Sequence, residues 1–221
     1  LVATEACRRA KNGSKFLSRV LNETGLKLEI IKPSEEARLA VISCAPLLEL
    51  NSSQVLVVDI GGGSTELVWI DLSAVAEEKR IEAMINYNPN YNSSLSNKEI
   101  VKNKLKAENV DWISVPLGVA TLHQKYCDVE DENARFALMS CFFEDQIAEF
   151  KPYINNYSDK KLSNLQIIGT SGTITTLGAV HLGLKKYDRL KVDGLKLTID
   201  EIEKVISKFL NLGSSGRKAE P

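Results

Sequence analysis

The feature that most restricts the fold is the stretch VLVVDIGGGSTELVWI, residues 55–70. Its first half is almost continuously apolar, the mark of a strand covered on both faces. Gly61-Gly62-Gly63 then turns the chain, and the apolar run resumes at once through Glu66-Leu67-Val68-Trp69-Ile70. A strand, a glycine turn and a second strand make a β-hairpin. A hairpin buried on both sides needs helices to cover it, which places the chain among α/β proteins.

The rest of the sequence supplies those helices. Residues 1–3 read as the end of a buried strand, followed by helical spacing over 4–10 and 14–23 that Gly25 ends. Residues 26–31 read as a strand. Pro33-Ser34-Glu35-Glu36 opens a helix running towards Leu47, with Ser34 expected as N-cap and the acids in the first turn. Residues 80–85 are expected to form a third antiparallel strand, and 86–109 a polar excursion. Order is expected again as a strand at 112–116 and helices at 118–126 and 131–150. A short buried strand at 165–168 runs into Gly169-Thr170-Ser171-Gly172-Thr173 and a helix over 174–182. A short strand at 195–197 and a helix opened by the capping-box-like Thr198-Ile199-Asp200-Glu201 complete the reading. Both ends read as cut.

A net charge of -1 over 221 residues gives no global field to draw the chain to nucleic acid or an anionic membrane, so a polyanionic ligand would need a local patch. Cys7, Cys44, Cys127 and Cys141 form no C-x-x-C pair and read as reduced thiols of a cytoplasmic protein, with Cys44 and Cys141 in apolar, buried settings. With two distant histidines, a zinc site is not expected. No stretch is long and apolar enough to span a bilayer.

Two places suit phosphate chemistry. A glycine turn at a strand end lets backbone N–H groups converge on an anion. Asp59-Ile60-Gly61-Gly62-Gly63-Ser64-Thr65 has this form, and Asp59 is placed to hold Mg2+ through hard oxygen ligation. The plain alternative is a tight hairpin, although three glycines exceed what one needs. The loop is not a Walker A sequence, which ends in Gly-Lys-Ser/Thr, nor a dinucleotide fingerprint, which runs into a helix. The second place is residues 169–173, where a strand does run into a helix N-terminus that suits an anion; close helix packing explains it equally well. Glu35 and Glu36 either stabilise a helix dipole or supply a general base. Arg8 and Arg9 are either phosphate ligands or solvated cations.

The blocks VATEACRRAKNG, EIIKPSEEARLA, VVDIGGGSTELVWI, ISVPLGVATL and IIGTSGTITTLGAVHLG, in this order, resemble the exopolyphosphatase / guanosine pentaphosphate phosphohydrolase (Ppx/GppA) family. The resemblance implies an actin/Hsp70/sugar-kinase-like fold of two ribonuclease-H-like lobes, a mixed sheet flanked by helices. Residues 1–50 would close the first lobe and 51–221 would form the second. It implies Glu36 as base for the attacking water, Gly61, Gly62, Gly63 and Ser64 as phosphate contacts, and Asp59 and Glu66 as Mg2+ ligands. Arg8 would lie near substrate phosphates, and Gly172 and Thr173 would line the cleft. The family's first phosphate loop, of the D-x-G-S-N-S type, is not in this sequence and is expected upstream, and its C-terminal helical extension is also absent.

The leading expectation is removal of terminal phosphate from inorganic polyphosphate by Mg2+-assisted attack of water. Guanosine pentaphosphate is the alternative substrate, and a non-catalytic binding module or a kinase on the same fold are the alternatives of class. Expected partners are the polyphosphate or guanosine pentaphosphate itself, with a homodimer allowed and neither nucleic acid nor membrane.

Overall fold

A computed structural model describes residues 1–87, 110–150 and 164–218. In chain order the elements are β1 (Val2–Ala3), α1 (Glu5–Arg9), α2 (Gly13–Thr24), β2 (Glu29–Ile30), α3 (Pro33–Cys44), β3 (Gln54–Ile60) and β4 (Thr65–Asp71). They continue with α4 (Arg80–Ile85), β5 (Val110–Val115), α5 (Val119–Lys125), α6 (Glu132–Ile147), β6 (Leu165–Thr170), α7 (Ser171–His181), α8 (Arg189–Val192) and α9 (Ile199–Arg217). β1 and β2 form a small parallel ladder, and the other strands form a mixed sheet in the order β5-β4-β3-β6. β3 runs antiparallel to β4 and parallel to β6.

Strand periodicity puts alternate residues on one face, and the register then defines the core. Val55 lies opposite Ile70, and Val57 opposite Val68 on one side and Ile168 on the other. This face is covered by Ala37, Ala40, Val41 and Cys44 of α3, with Ala83 and Met84 of α4 packed beside them. Val55, Val57, Val68 and Ile70 are fully buried, and each such aliphatic side chain stabilises the fold by about 1.5–3 kcal/mol. α3 precedes residue 50, yet it packs on the larger sheet. Its amino-terminal end therefore reaches the place where the apolar face stops.

The hairpin, the mixed sheet and its helical cover agree with the sequence, and several boundaries do not. Residues 80–85 are helix α4, not a strand: Ala83 and Met84 are good helix formers and pack side by side against α3. The third antiparallel strand is β5 instead. Only Glu29–Ile30 of the segment 26–31 pairs, with Val2–Ala3. Residues 195–197 form no strand, because Leu195 turns onto α7 beside Gly178. Ser34 does not cap α3. Pro33, whose ring already fixes a helical φ, starts the helix two residues earlier, with Lys32 at the cap position.

Cys141 is exposed rather than buried, since no residue of α6 is fully covered; all four cysteines are free. The Thr198–Glu201 capping box is present, with reciprocal bonds of 2.8 and 3.3 Å. The polar excursion lies, from residue 88 on, outside the described residues. Among the described residues no helix is long and apolar enough to cross a membrane.

Candidate active site

The core ends in a row of polar side chains that crosses the whole sheet. Thr170 of β6 lies opposite Asp59 of β3, Asp59 opposite Glu66 of β4, and Glu66 opposite Ser114 of β5. The same register that buries Val57 against Val68 thus puts two carboxylates side by side. Glu66 is only 1% exposed. Its Oε1 accepts a 2.8 Å hydrogen bond from the Ser114 hydroxyl, and the Ser64 hydroxyl also favours its ionised form.

The turn beyond this row has its carbonyl groups tied down. Gly61 N–H donates to the Ser64 carbonyl at 3.0 Å and closes the hairpin. The first turn of α5 then donates Val119 N–H to the Gly61 carbonyl at 3.1 Å and Ala120 N–H to the Gly62 carbonyl at 2.9 Å. With its carbonyls engaged by α5, the loop keeps the Gly62 and Gly63 N–H groups without an acceptor among the described residues. Gly118 makes this approach feasible: a Cβ there would stand 2.4 Å from the Gly61 oxygen.

The two glutamates that open α3 divide their roles. Glu35 turns sideways to Arg38, with bonds of 2.6 and 2.8 Å. Glu36 turns inward, and its Oε2 accepts from Arg8 at 2.8 Å while Oε1 accepts nothing among the described residues. Arg8 also donates to Glu5 at 3.0 Å and to the Ile31 carbonyl at 2.8 Å. Burial lowers the Arg8 pKa, but hydrogen bonds and charge from Glu36 and Glu5 outweigh it and hold the guanidinium protonated. Glu5 also lies beside the phosphate loop, where a Cβ added at Gly63 would stand 3.2 Å from its Cγ.

Electrostatics tie these groups into one cluster. Burial pushes the Glu66 carboxyl above the usual carboxylate range; the serine hydroxyls pull it back, and the charges of Glu36 and Asp59 push it up further. Glu36 stands one turn before Ala40, on the face that α3 packs into the core, and is bonded to Arg8, while Asp59 and Glu66 lie opposite each other where the core face of the sheet ends. The paired Asp59 and Glu66 carboxylates fit a hard cation, whose charge would offset the burial of Glu66 beside like charges. Among the described residues no three His, Cys, Asp or Glu side chains enclose a metal by themselves. Mg2+ suits such a site, because it is usually held by one or two carboxylates and completes its octahedron with water and phosphate oxygens.

The second glycine turn meets the first. Ser171, at the start of α7, donates its hydroxyl to Asp59 Oδ1, and Thr173 donates to the Ile60 carbonyl at 3.2 Å. Gly172 faces open space, with nothing within 4 Å of an added Cβ. Asp59, the turn at 61–64, Glu66, Gly172 and Thr173 thus lie around the end of β3, Arg8 is joined to Glu36, and Glu35 and Arg9 stand apart. Arg8 is engaged by carboxylates, and Thr173 joins the two turns. Sequence reasoning missed Glu5, Ser114, Gly118 and Ser171. A lone glycine before a helix and single hydroxyls carry little signal until a register shows what they oppose.

The family model described as the Ppx/GppA phosphatase family matches residues 1–219. This chain belongs to the Ppx/GppA phosphatase family. A solved family member from Aquifex aeolicus is 30% identical, with a TM-score of 0.63 over 98% of this chain and 56% of that one. An exopolyphosphatase-like protein is 25% identical, with a TM-score of 0.71 over 99% of this chain and 59% of that one. The Ppx/GppA fold is the actin/sugar-kinase type, and the mixed sheet flanked by helices conforms to it. Among curated proteins, a bifunctional 3-dehydroquinate synthase/phosphatase of Fusobacterium nucleatum is 26% identical over 209 residues, 94% of this chain and 26% of that protein. Exopolyphosphatase 1 of Mycobacterium tuberculosis is 38% identical over 79 residues, 36% of this chain and 22% of that protein. The chain thus spans 56–59% of these two Ppx/GppA structures and 22–26% of these two curated relatives.

Proposed function

We propose that the chain carries the hydrolytic half of a phosphoanhydride cleft that removes terminal phosphate from inorganic polyphosphate by attack of water. The observation that carries this is the meeting of Glu36, one oxygen unengaged, with the Asp59–Glu66 pair beside a loop whose carbonyls are tied back. Binding alone does not require a carboxylate facing the phosphate space. The relatives named exopolyphosphatase support polyphosphate over guanosine pentaphosphate as substrate.

In this reading the Gly62 and Gly63 N–H groups bind the terminal phosphate oxygens, as oriented backbone dipoles do in other phosphoryl-transfer sites. Bound Mg2+ would be held by Asp59 and Glu66 and would neutralise charge on the transferred phosphoryl group. Glu36 Oε1 accepts the proton of the attacking water while Arg8 holds the other oxygen, which fixes the direction from which water is deprotonated.

The test is Glu36→Gln in the full-length chain. Glutamine keeps an oxygen for Arg8 and removes the base, so kcat for phosphate release from polyphosphate should fall about 100- to 10,000-fold with KM little changed. Near-normal kcat would sink Glu36 as the base. Wild-type release from guanosine pentaphosphate in preference to polyphosphate would assign the sister substrate.

A further inference from the structure

We propose that Ser171 is a positioning residue for Asp59, kept in an unfavourable backbone conformation because its hydroxyl aims the carboxylate that takes the cation. This rests on the reading of Asp59 as a Mg2+ ligand.

Two independent observations converge on Ser171. Its φ is 74°, and the one other non-glycine residue described with a positive φ is Asn164, at 68°. Left-handed backbone is unfavourable for residues with a Cβ; asparagine tolerates it through local hydrogen bonds, whereas serine has little such relief. Strain of this kind persists where the surroundings enforce it and clusters at functional sites. The second observation is the partner. The Ser171 hydroxyl reaches 112 positions back in sequence to donate to Asp59 Oδ1.

The backbone explains why the strain is needed. β6 pairs with β3 as far as Thr170 opposite Asp59. Ser171 is the next residue and must leave the sheet to begin α7. Thr173 fastens the same turn to the Ile60 carbonyl at 3.2 Å, so the turn cannot relax away from β3. A glycine at 171 would accept the φ without strain, but it would release Asp59. With Oδ1 fixed by Ser171, rotation of the carboxylate is restricted. Oδ2 accepts no hydrogen bond among the described residues and is the oxygen left for a cation. Hydrogen-bonded second partners of this kind typically alter metal affinity by 10- to 100-fold when removed.

The experiment compares Ser171→Gly and Ser171→Ala with wild type in the full-length chain, measuring thermal unfolding over a Mg2+ titration without substrate. Ser171→Gly relieves the backbone while removing the hydroxyl, so its metal-free unfolding temperature should equal or exceed that of Ser171→Ala. Both should need about 10- to 100-fold more Mg2+ for the same stabilisation. The Mg2+ giving half-maximal phosphate release should rise by the same factor. If wild type binds Mg2+ and Ser171→Gly binds it equally well, Ser171 has no positioning role, although Asp59 remains a ligand. If wild type takes up no Mg2+, the reading of Asp59 fails and this inference falls with it.

Discussion

Replacing Gly118 with alanine tests whether α5 governs the geometry of the phosphate loop. Gly118 has φ -131° and ψ -176°, extended values that alanine adopts freely, so any effect is steric. The added Cβ would lie 2.4 Å from the Gly61 oxygen, 2.5 Å from the Gly62 carbonyl carbon and 2.6 Å from the Gly62 oxygen, all of them backbone atoms. Ordinary contact begins at 3.4 Å, so α5 and the loop must separate by about 1 Å. Taken up along the Val119–Gly61 and Ala120–Gly62 hydrogen bonds, now 3.1 and 2.9 Å, such a shift breaks both. Two bonds at about 1 kcal/mol each, with residual overpacking of about 1 kcal/mol or more, give a loss of about 2–4 kcal/mol. For a chain of this size that is a fall of roughly 5–15 °C in unfolding temperature. The freed loop would misplace its N–H groups by about 1 Å, which costs on the order of 100-fold in kcat/KM. The assay is calorimetry with phosphate release from polyphosphate on the same preparation. Unfolding within about 1 °C of wild type, with kcat/KM within about twofold, would refute the reasoning.

Gly62→Ala is the complementary perturbation. Nothing lies within 4 Å of its added Cβ, so stability should be unchanged within about 0.5 kcal/mol, while KM for polyphosphate should rise about tenfold or more as the methyl group meets the incoming phosphate. Unaltered KM would count against the loop as the phosphate contact. Glu66→Gln is expected to raise stability at pH 7.5 in the absence of Mg2+. Burial raises the Glu66 pKa in the folded state, so the wild type is favoured below the unfolded value and loses that advantage as pH rises through the folded one. The gain of the glutamine variant should therefore shrink as the pH is lowered towards 4.5. A gain that does not change with pH, or a loss at pH 7.5, would contradict the assignment. Chelation with EDTA should abolish wild-type phosphate release and excess Mg2+ restore it; activity that survives chelation would remove the metal from the proposal.

Fold class was legible because its strongest signals are long and redundant. The 55–70 hairpin is apolar on both faces with a turn that admits little else, and the blocks around it occur in family order. Residues 80–85 were misread because six residues with apolar positions at both spacings do not separate strand from helix. What decided between them was the contact of Ala83 and Met84 with α3, across about 40 positions of sequence. At the site, Glu36 and Arg8 were nameable, but their pairing was not. Nor could sequence tell Glu35 from Glu36 by chemistry. The helix rotation that sends Glu35 to Arg38 and Glu36 to Arg8 is set by burial of Ala37, Ala40 and Val41. Ser114 and Ser171 stayed hidden for a related reason. Each gains meaning only from the strand it faces, and strand pairing between distant segments is not written in either segment alone.

The row from Thr170 to Ser114 places folding and chemistry under one constraint. A one-residue slip of β4 against β3 would part Glu66 from Asp59, and the same slip would turn Val68 and Ile70 out of the core. The chain therefore has no well-packed but mispaired state in which the carboxylates are merely misaligned; losing the pair means losing the hydrophobic centre. Insertions and deletions across Gln54–Asp71 would be removed by cellular quality control before they could be sampled as altered enzymes. Variation in substrate range should accordingly arise outside this hairpin, which tolerates almost none.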